Sequence, residues 1–174
     1  MTADTLVVKD FIIPLDRYPH LSDTQTLHDA VEIIQTFTCG PSDRLRYSEL
    51  MVINDQNQLV GRVTLQDILQ GLDQRLVDVT KVKKFEGQSV EYANLSILWE
   101  DSFFVECAKK RITPIKDLMS PATRFVKGED PLLKALAMLL HSNDVIMPVV
   151  DDGRVVGVIR LEEIFKAISS RCQL

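Results

Sequence analysis

Cysteine is scarce in this chain and scattered. Cys39, Cys107 and Cys172 are odd in number, lie far apart and show no metal or redox spacing. That excludes a disulfide framework and a paired-thiol redox site, and it suits reduced thiols in a cytoplasmic protein. Glycine is also sparse, with 7 residues, and none of it builds a Gly-rich phosphate loop; zinc signatures and nucleophile elbows are missing too. His20, His28 and His141 have no metal spacing and no assignable nucleophile. Positive charge is not in excess: 20 Lys and Arg stand against 25 Asp and Glu, a net charge of −5. No long-range field therefore draws the chain to nucleic acid or anionic lipid. No apolar run approaches the roughly 18 residues of a membrane span. The start, Met1-Thr2-Ala3-Asp4, lacks a basic stretch followed by an apolar one, so neither membrane insertion nor a signal peptide is expected. What remains is 45% hydrophobic and 26% charged over 174 residues, one globular unit with a core large enough to need no staples.

What is present is a repeat. Val8-Lys9-Asp10-Phe11-Ile12-Ile13-Pro14 returns as Ile115-Lys116-Asp117-Leu118-Met119-Ser120-Pro121. Leu27-His28-Asp29-Ala30 returns as Leu132-Leu133-Lys134-Ala135, and Leu59-Val60-Gly61-Arg62-Val63-Thr64 as Val155-Val156-Gly157-Val158-Ile159-Arg160. The spacing between partners shrinks along the chain, so the second copy is the more compact, but the order is kept. A period this long is a duplicated supersecondary module, not a solenoid unit.

Each copy reads as an extended lead-in, a helix, a hairpin and a second helix. In the second copy, Asp130-Pro131 predicts a capped helix start with proline at the first helical position. Leu132, Ala135, Leu136, Leu139 and Leu140 follow at helical spacing. Val145 to Val150 predicts a strand, with Pro148 marking an edge. Asp151-Asp152-Gly153-Arg154 predicts a hairpin turn before the return strand Val155 to Ile159. Leu161, Ile164, Phe165 and Ile168 predict the buried stripe of the closing helix. The first copy repeats the plan. Its first helix carries Leu27, Ala30, Val31, Ile34 and Phe37. Its hairpin runs through Leu50 to Ile53, Asn54 to Asn57 and Leu59 to Val63, and its second helix carries Leu65, Ile68, Leu69 and Leu72.

Asp117-Leu118-Met119-Ser120-Pro121, the strand from Pro148 to Asp151, and Gly61-Arg62-Val63-Thr64-Leu65-Gln66-Asp67 resemble a tandem pair of CBS domains, often called a Bateman module. The resemblance covers residues 8–72 and 113–168, with 73–112 as an insertion between the copies. It implies an α/β (α+β) disc whose two copies pack through their sheets around a pseudo-two-fold axis and enclose two related clefts. It also implies adenine nucleotides as ligands, a regulatory rather than catalytic role, and pairing of discs into a homodimer.

Thr64 and Asp67 carry the sharpest chemical signal. A hydroxyl at a helix start can donate to a phosphate where free amides and the dipole favour an anion. A carboxylate one turn later can accept both hydroxyls of a ribose. The resemblance implies those roles; the same Thr-x-x-Asp spacing is also a serviceable helix cap. The second copy departs from the pattern. Arg160 replaces the threonine and can donate to a phosphate. Glu163 replaces the aspartate and is either an overlong ribose partner or part of a solvated first turn with Glu162. One good site and one degraded site are expected. The resemblance further implies that the lead-in backbones read a base edge, which nominates Ile12, Ile13, Met119 and Ser120. Leu50, Met51, Met147 and Pro148 would give apolar surface to a purine, or else pack in the core. Arg44 and Arg46, in the loop from Thr38 to Glu49, are further candidates to hold phosphate.

The stretch from Ser89 to Lys110 lacks Pro and Gly and predicts a helix with an unusually wide apolar surface. It holds Trp99, Phe103 and Phe104, and it either covers its own module or meets another chain. Two functions are therefore expected to compete. One is a sensor that binds AMP, ADP, ATP or another adenosyl ligand and signals occupancy to a dimer mate or protein partner. The other is a CBS-fold dimerisation scaffold that binds no nucleotide. Nothing in the sequence assembles a constellation for catalysis, so an enzyme is not expected and no cofactor is required.

Overall fold

Two apolar strand runs in each copy decide where the sheets form. The computed structural model describes residues 5–75 and 100–173. In the first copy these are β1 (Ile13–Pro14), β2 (His20–Ser22), α1 (Leu27–Thr36), β3 (Thr38–Cys39), β4 (Arg44–Leu45), β5 (Glu49–Ile53), β6 (Leu59–Thr64) and α2 (Leu65–Leu72). Then follow α3 (Glu100–Lys109), β7 (Ser120–Pro121), α4 (Leu132–Ser142), β8 (Ile146–Asp151), β9 (Arg154–Arg160) and α5 (Leu161–Cys172). The architecture is mixed α and β, with five α-helices among the described residues.

The hairpins form where the sequence places turns. Asp152 and Gly153 both take positive φ, 49° and 75°, between β8 and β9, and Asn57 does so at 59° between β5 and β6. Such residues adopt the left-handed region at little cost. β2 runs parallel beside β5, and its counterpart in the second copy is a single parallel bridge between Val126 and Val149. β8 is an edge strand, as Pro148 predicts.

The lead-ins cross over. β7, from the second copy, pairs with β6 of the first through Gly61–Pro121 and Arg62–Ser120. β1, from the first copy, pairs with β9 of the second through Ile13–Val158 and Pro14–Gly157. The sheet orders are therefore β2-β5-β6-β7 and β1-β9-β8. Glycine permits this close approach. A Cβ at Gly61 would meet Met119 Sδ and the Ser120 carbonyl at 2.8 Å, and one at Gly157 would collide with the Ile13 carbonyl. The cores follow the same exchange. Val8 is fully buried with Leu132, Leu139, Met147 and Ile164, while Ile115 is fully buried with Leu27, Ile34, Leu50 and Ile68. Each such aliphatic side chain contributes about 1.5–3 kcal/mol by leaving water, so the lead-ins tie the two copies together. A third cluster, with Tyr18, Tyr47, Met51, Ile146 and Val158, lies between the sheets.

Several local expectations are corrected. Pro131 is itself the cap of α4, and Asp130 accepts instead from the Lys127 amide, because its carboxylate turns back to close the preceding loop. Residues 38–49 contain the small β3–β4 ribbon. Leu69, Leu140 and Phe165 are exposed, since each follows a buried or half-buried residue and lies about 100° further round its helix. Within the predicted 89–110 helix, α3 covers Glu100–Lys109; Trp99 lies outside the described residues. Phe104 is exposed and packs edge-on against Phe103.

Candidate functional site

An open cleft lies where the exchanged lead-in of the second copy meets the first copy's hairpin. Its cavity of about 310 Å³ is lined by Arg62, Pro121, Ala122, Thr123, Arg124, Ser142, Asp144, Ile146, Met147 and Pro148. That size falls within the range of small-molecule sites. One wall is apolar, from β8; another is the irregular backbone after β7. The third is β6, on which Arg62 and Thr64 face the same side because they stand two residues apart.

Thr64 caps α2 in a complete capping box. Its hydroxyl accepts from the Asp67 amide at 3.1 Å, and Asp67 Oδ2 accepts from the Thr64 amide and hydroxyl at 2.8 Å each. The box uses Oδ2 and leaves Oδ1 outside it. Thr26 and Asp29 form the same box on α1, so the geometry alone serves helix capping as well as recognition.

Charges from both copies meet at the cleft. Arg62 donates through Nη1 and Nη2 to Asp144 Oδ1, both at 3.1 Å, and its Nη1 stands 3.9 Å from Glu49 Oε1. Arg124 reaches the other Asp144 oxygen at 3.7 Å. Burial opposes ionisation of Asp144, but hydrogen bonds from Ser142 and Arg62, with the two arginine charges, hold its carboxyl below the usual range. Glu49 behaves oppositely. Its side chain is 9% exposed, its Oε1 has no hydrogen-bond partner, and burial pushes its pKa up to about 7 against the pull of Arg62.

The pseudo-symmetric cleft is narrowed by aromatic rings but keeps a smaller cavity of about 220 Å³, lined by Arg46, Tyr47, Ser48, Val145, Ile146, Arg160, Leu161 and Glu162. In the strand registers, Val158 stands where Arg62 stands, Tyr18 where Thr123 stands, and Tyr47 where Asp144 stands. Tyr18 is wholly buried, donates to the Glu49 carbonyl at 2.8 Å and stacks on Tyr47 at 4.8 Å between centroids. Phe37 closes on Tyr47 from the side. Burial raises the Tyr18 phenol's pKa, so it stays protonated as a donor. Arg160 lies over the Tyr47 ring, 5.4 Å from its centroid, and binds Glu163 at 2.6 and 2.9 Å and Glu162 at 2.7 Å.

The nominated residues divide accordingly. Met147 and Pro148 line the open cleft and Ser120 sits on β7 at its edge; Thr64 and Asp67 are not among its lining residues, although the charge of Asp67 reaches Arg62, which is. Met119 packs on the first copy's core and Ile12 on the second copy's. Leu50 and Met51 are fully buried, and Ile13 joins the cluster between the sheets. Arg160 lines the smaller cavity of the second cleft. Sequence reasoning missed Arg62, Thr123, Arg124, Asp144, Glu49 and the two tyrosines. The available signal was a charged residue in each strand of the first hairpin, Glu49 and Arg62, where the second copy carries Ile146 and Val158.

A doubled α/β unit with exchanged lead-ins and paired clefts defines a tandem-repeat module. The chain belongs to the CBS-domain family: the CBS domain matches residues 8–73 and 115–170. No curated protein matches it. Among solved structures it is similar to the CBS-pair protein CBSX2 from Arabidopsis thaliana, with 20% identity, a TM-score of 0.66, and 98% of this chain and 99% of that one covered. A structure of CBSX2 in complex with AMP is 24% identical, with a TM-score of 0.63 and 94% and 97% covered. A CBS domain-containing protein from Bacillus anthracis str. Ames Ancestor is 18% identical, with a TM-score of 0.66 and 95% and 94% covered. At these identities the likeness concerns the fold.

Proposed function

We propose that the chain is a ligand-sensing regulatory module. It holds one adenine-type nucleotide or related adenosyl ligand in the open cleft and passes occupancy to a homodimer mate or another protein, rather than carrying out a reaction. The observation that carries this reading is the cavity of about 310 Å³ between the two copies, lined by Arg62, which stands two positions before Thr64 on β6. Asp67 Oδ1 would accept from ribose hydroxyls, and Thr64 at the α2 start would meet the 5′ substituent. Ile146, Met147 and Pro148 would give the purine an apolar face, with the backbone of 121–124 at its edge. The complex of CBSX2 with AMP supports the same ligand class. Because such a ligand touches β6, the β7 lead-in and β8 at once, occupancy would join the two copies more firmly.

A scaffold that binds no nucleotide is the second reading, and the tyrosine rings that narrow the second cleft, with the Arg160–Glu163 ion pair, favour it. A thermal-shift panel of adenosine, AMP, ADP and ATP separates the two. A bound ligand at about 100 times its dissociation constant should add about 2.7 kcal/mol of stability. Absence of any shift across the panel at millimolar concentration would leave the scaffold reading standing.

A further inference from the structure

The open cleft contains cations, yet each is already matched. Arg62 gives both terminal nitrogens to Asp144 and faces Glu49, and Arg124 shares the same Asp144 carboxylate. Asp67 adds a third carboxylate whose field reaches both Arg62 and Glu49. Two guanidinium groups therefore stand against three carboxylates. Glu49 supplies an independent observation: its side chain is more than nine-tenths buried, and the oxygen nearest Arg62 accepts no hydrogen bond. A buried acceptor without a donor favours any added positive charge and disfavours added negative charge. A phosphate chain entering here would have to draw Arg62 away from Asp144 and leave Glu49 facing an anion in a poorly solvated site.

Building on the adenosyl reading above, we infer that this cleft selects ligands by the charge of the 5′ substituent, taking neutral or cationic adenosyl compounds over nucleoside polyphosphates, with Glu49 as the specificity-determining residue. Glu49 acts through the Arg62–Asp144 pair and needs no contact with the ligand. Asp144 holds both arginines in the second copy's frame, so the selection depends on the two copies being joined.

The test is calorimetric titration of the full chain, at a pH above the Glu49 pKa, with a charge ladder: 5′-amino-5′-deoxyadenosine, adenosine, AMP and ATP. Affinity should fall along the series, with ATP at least about tenfold weaker than adenosine. Glu49→Gln keeps the shape and removes the charge, and should narrow that ratio by tightening ATP and leaving adenosine nearly unchanged. Asp144→Asn frees both arginines and should narrow it further, which keeps the test available if one variant folds poorly. ATP binding as tightly as adenosine in the wild type would overturn the inference while leaving the adenosyl reading intact. An unchanged ratio in both variants would also overturn it. No binding by any member of the ladder would instead remove the adenosyl reading and this inference with it.

Discussion

A single residue, Glu49, concentrates the physical tension in this molecule. It pairs with Thr64 across β5 and β6 and sits between the sheets, where a carboxylate is poorly solvated. Its folded pKa of about 7 lies above its ordinary value of 4.5. The folded state therefore retains a proton that the unfolded state releases. Stability from this group is fully present below about 4.5, is lost as the pH rises to about 7, and stays lost above. The span corresponds to about 3 kcal/mol. Glu49→Gln should accordingly raise the melting temperature by several degrees near pH 8 and change it little near pH 5. Equal shifts at both pH values would show that the effect is not electrostatic. Residue-level chemistry was legible where partners are local. Thr64 and Asp67 are three apart, and their box could be read directly. Arg62 and Asp144 lie 82 positions apart, so no spacing could announce them. Nothing in the sequence marks Tyr18 and Tyr47, because only the fold brings them together between the sheets.

At the scale of elements, helices and hairpins could be read from periodicity and turn residues, while the exchange of lead-ins could not. β1 and β7 are two residues long each, too short to carry any alternation, and their partners are set by the other copy. Helix faces were read too broadly. Leu69 on α2 and Phe165 on α5, at equivalent positions of the two copies, are 56% and 69% exposed. Large apolar side chains exposed at matching sites suit a two-fold partner surface. We therefore expect a homodimer that uses these helices. Light scattering should give a dimer for the wild type at micromolar concentration and a folded monomer for the Leu69→Glu, Phe165→Glu double variant. A monomeric wild type, or a double variant that stays dimeric, would contradict this assignment.

Across the whole molecule, duplication has produced a symmetric frame with asymmetric contents. The two copies share strand registers, glycine crossings and helix positions, so the pseudo-two-fold frame was visible in the repeat itself. The difference between the clefts depends on a few replacements: Arg62 against Val158, Thr123 against Tyr18, and Asp144 against Tyr47. The first cleft keeps a cavity of about 310 Å³ lined by Arg62 and Asp144, and the second a smaller one of about 220 Å³, narrowed by rings and by the Arg160 ion pairs. This asymmetry is expected to leave one adenosyl site per chain. Calorimetric titration with adenosine on wild type, Asp67→Ala and Glu163→Ala tests it most directly. One site per chain is expected, with an affinity loss of about 1.5–3 kcal/mol for Asp67→Ala and a much smaller loss for Glu163→Ala. Two equivalent sites per chain, or equal losses in the two variants, would contradict it.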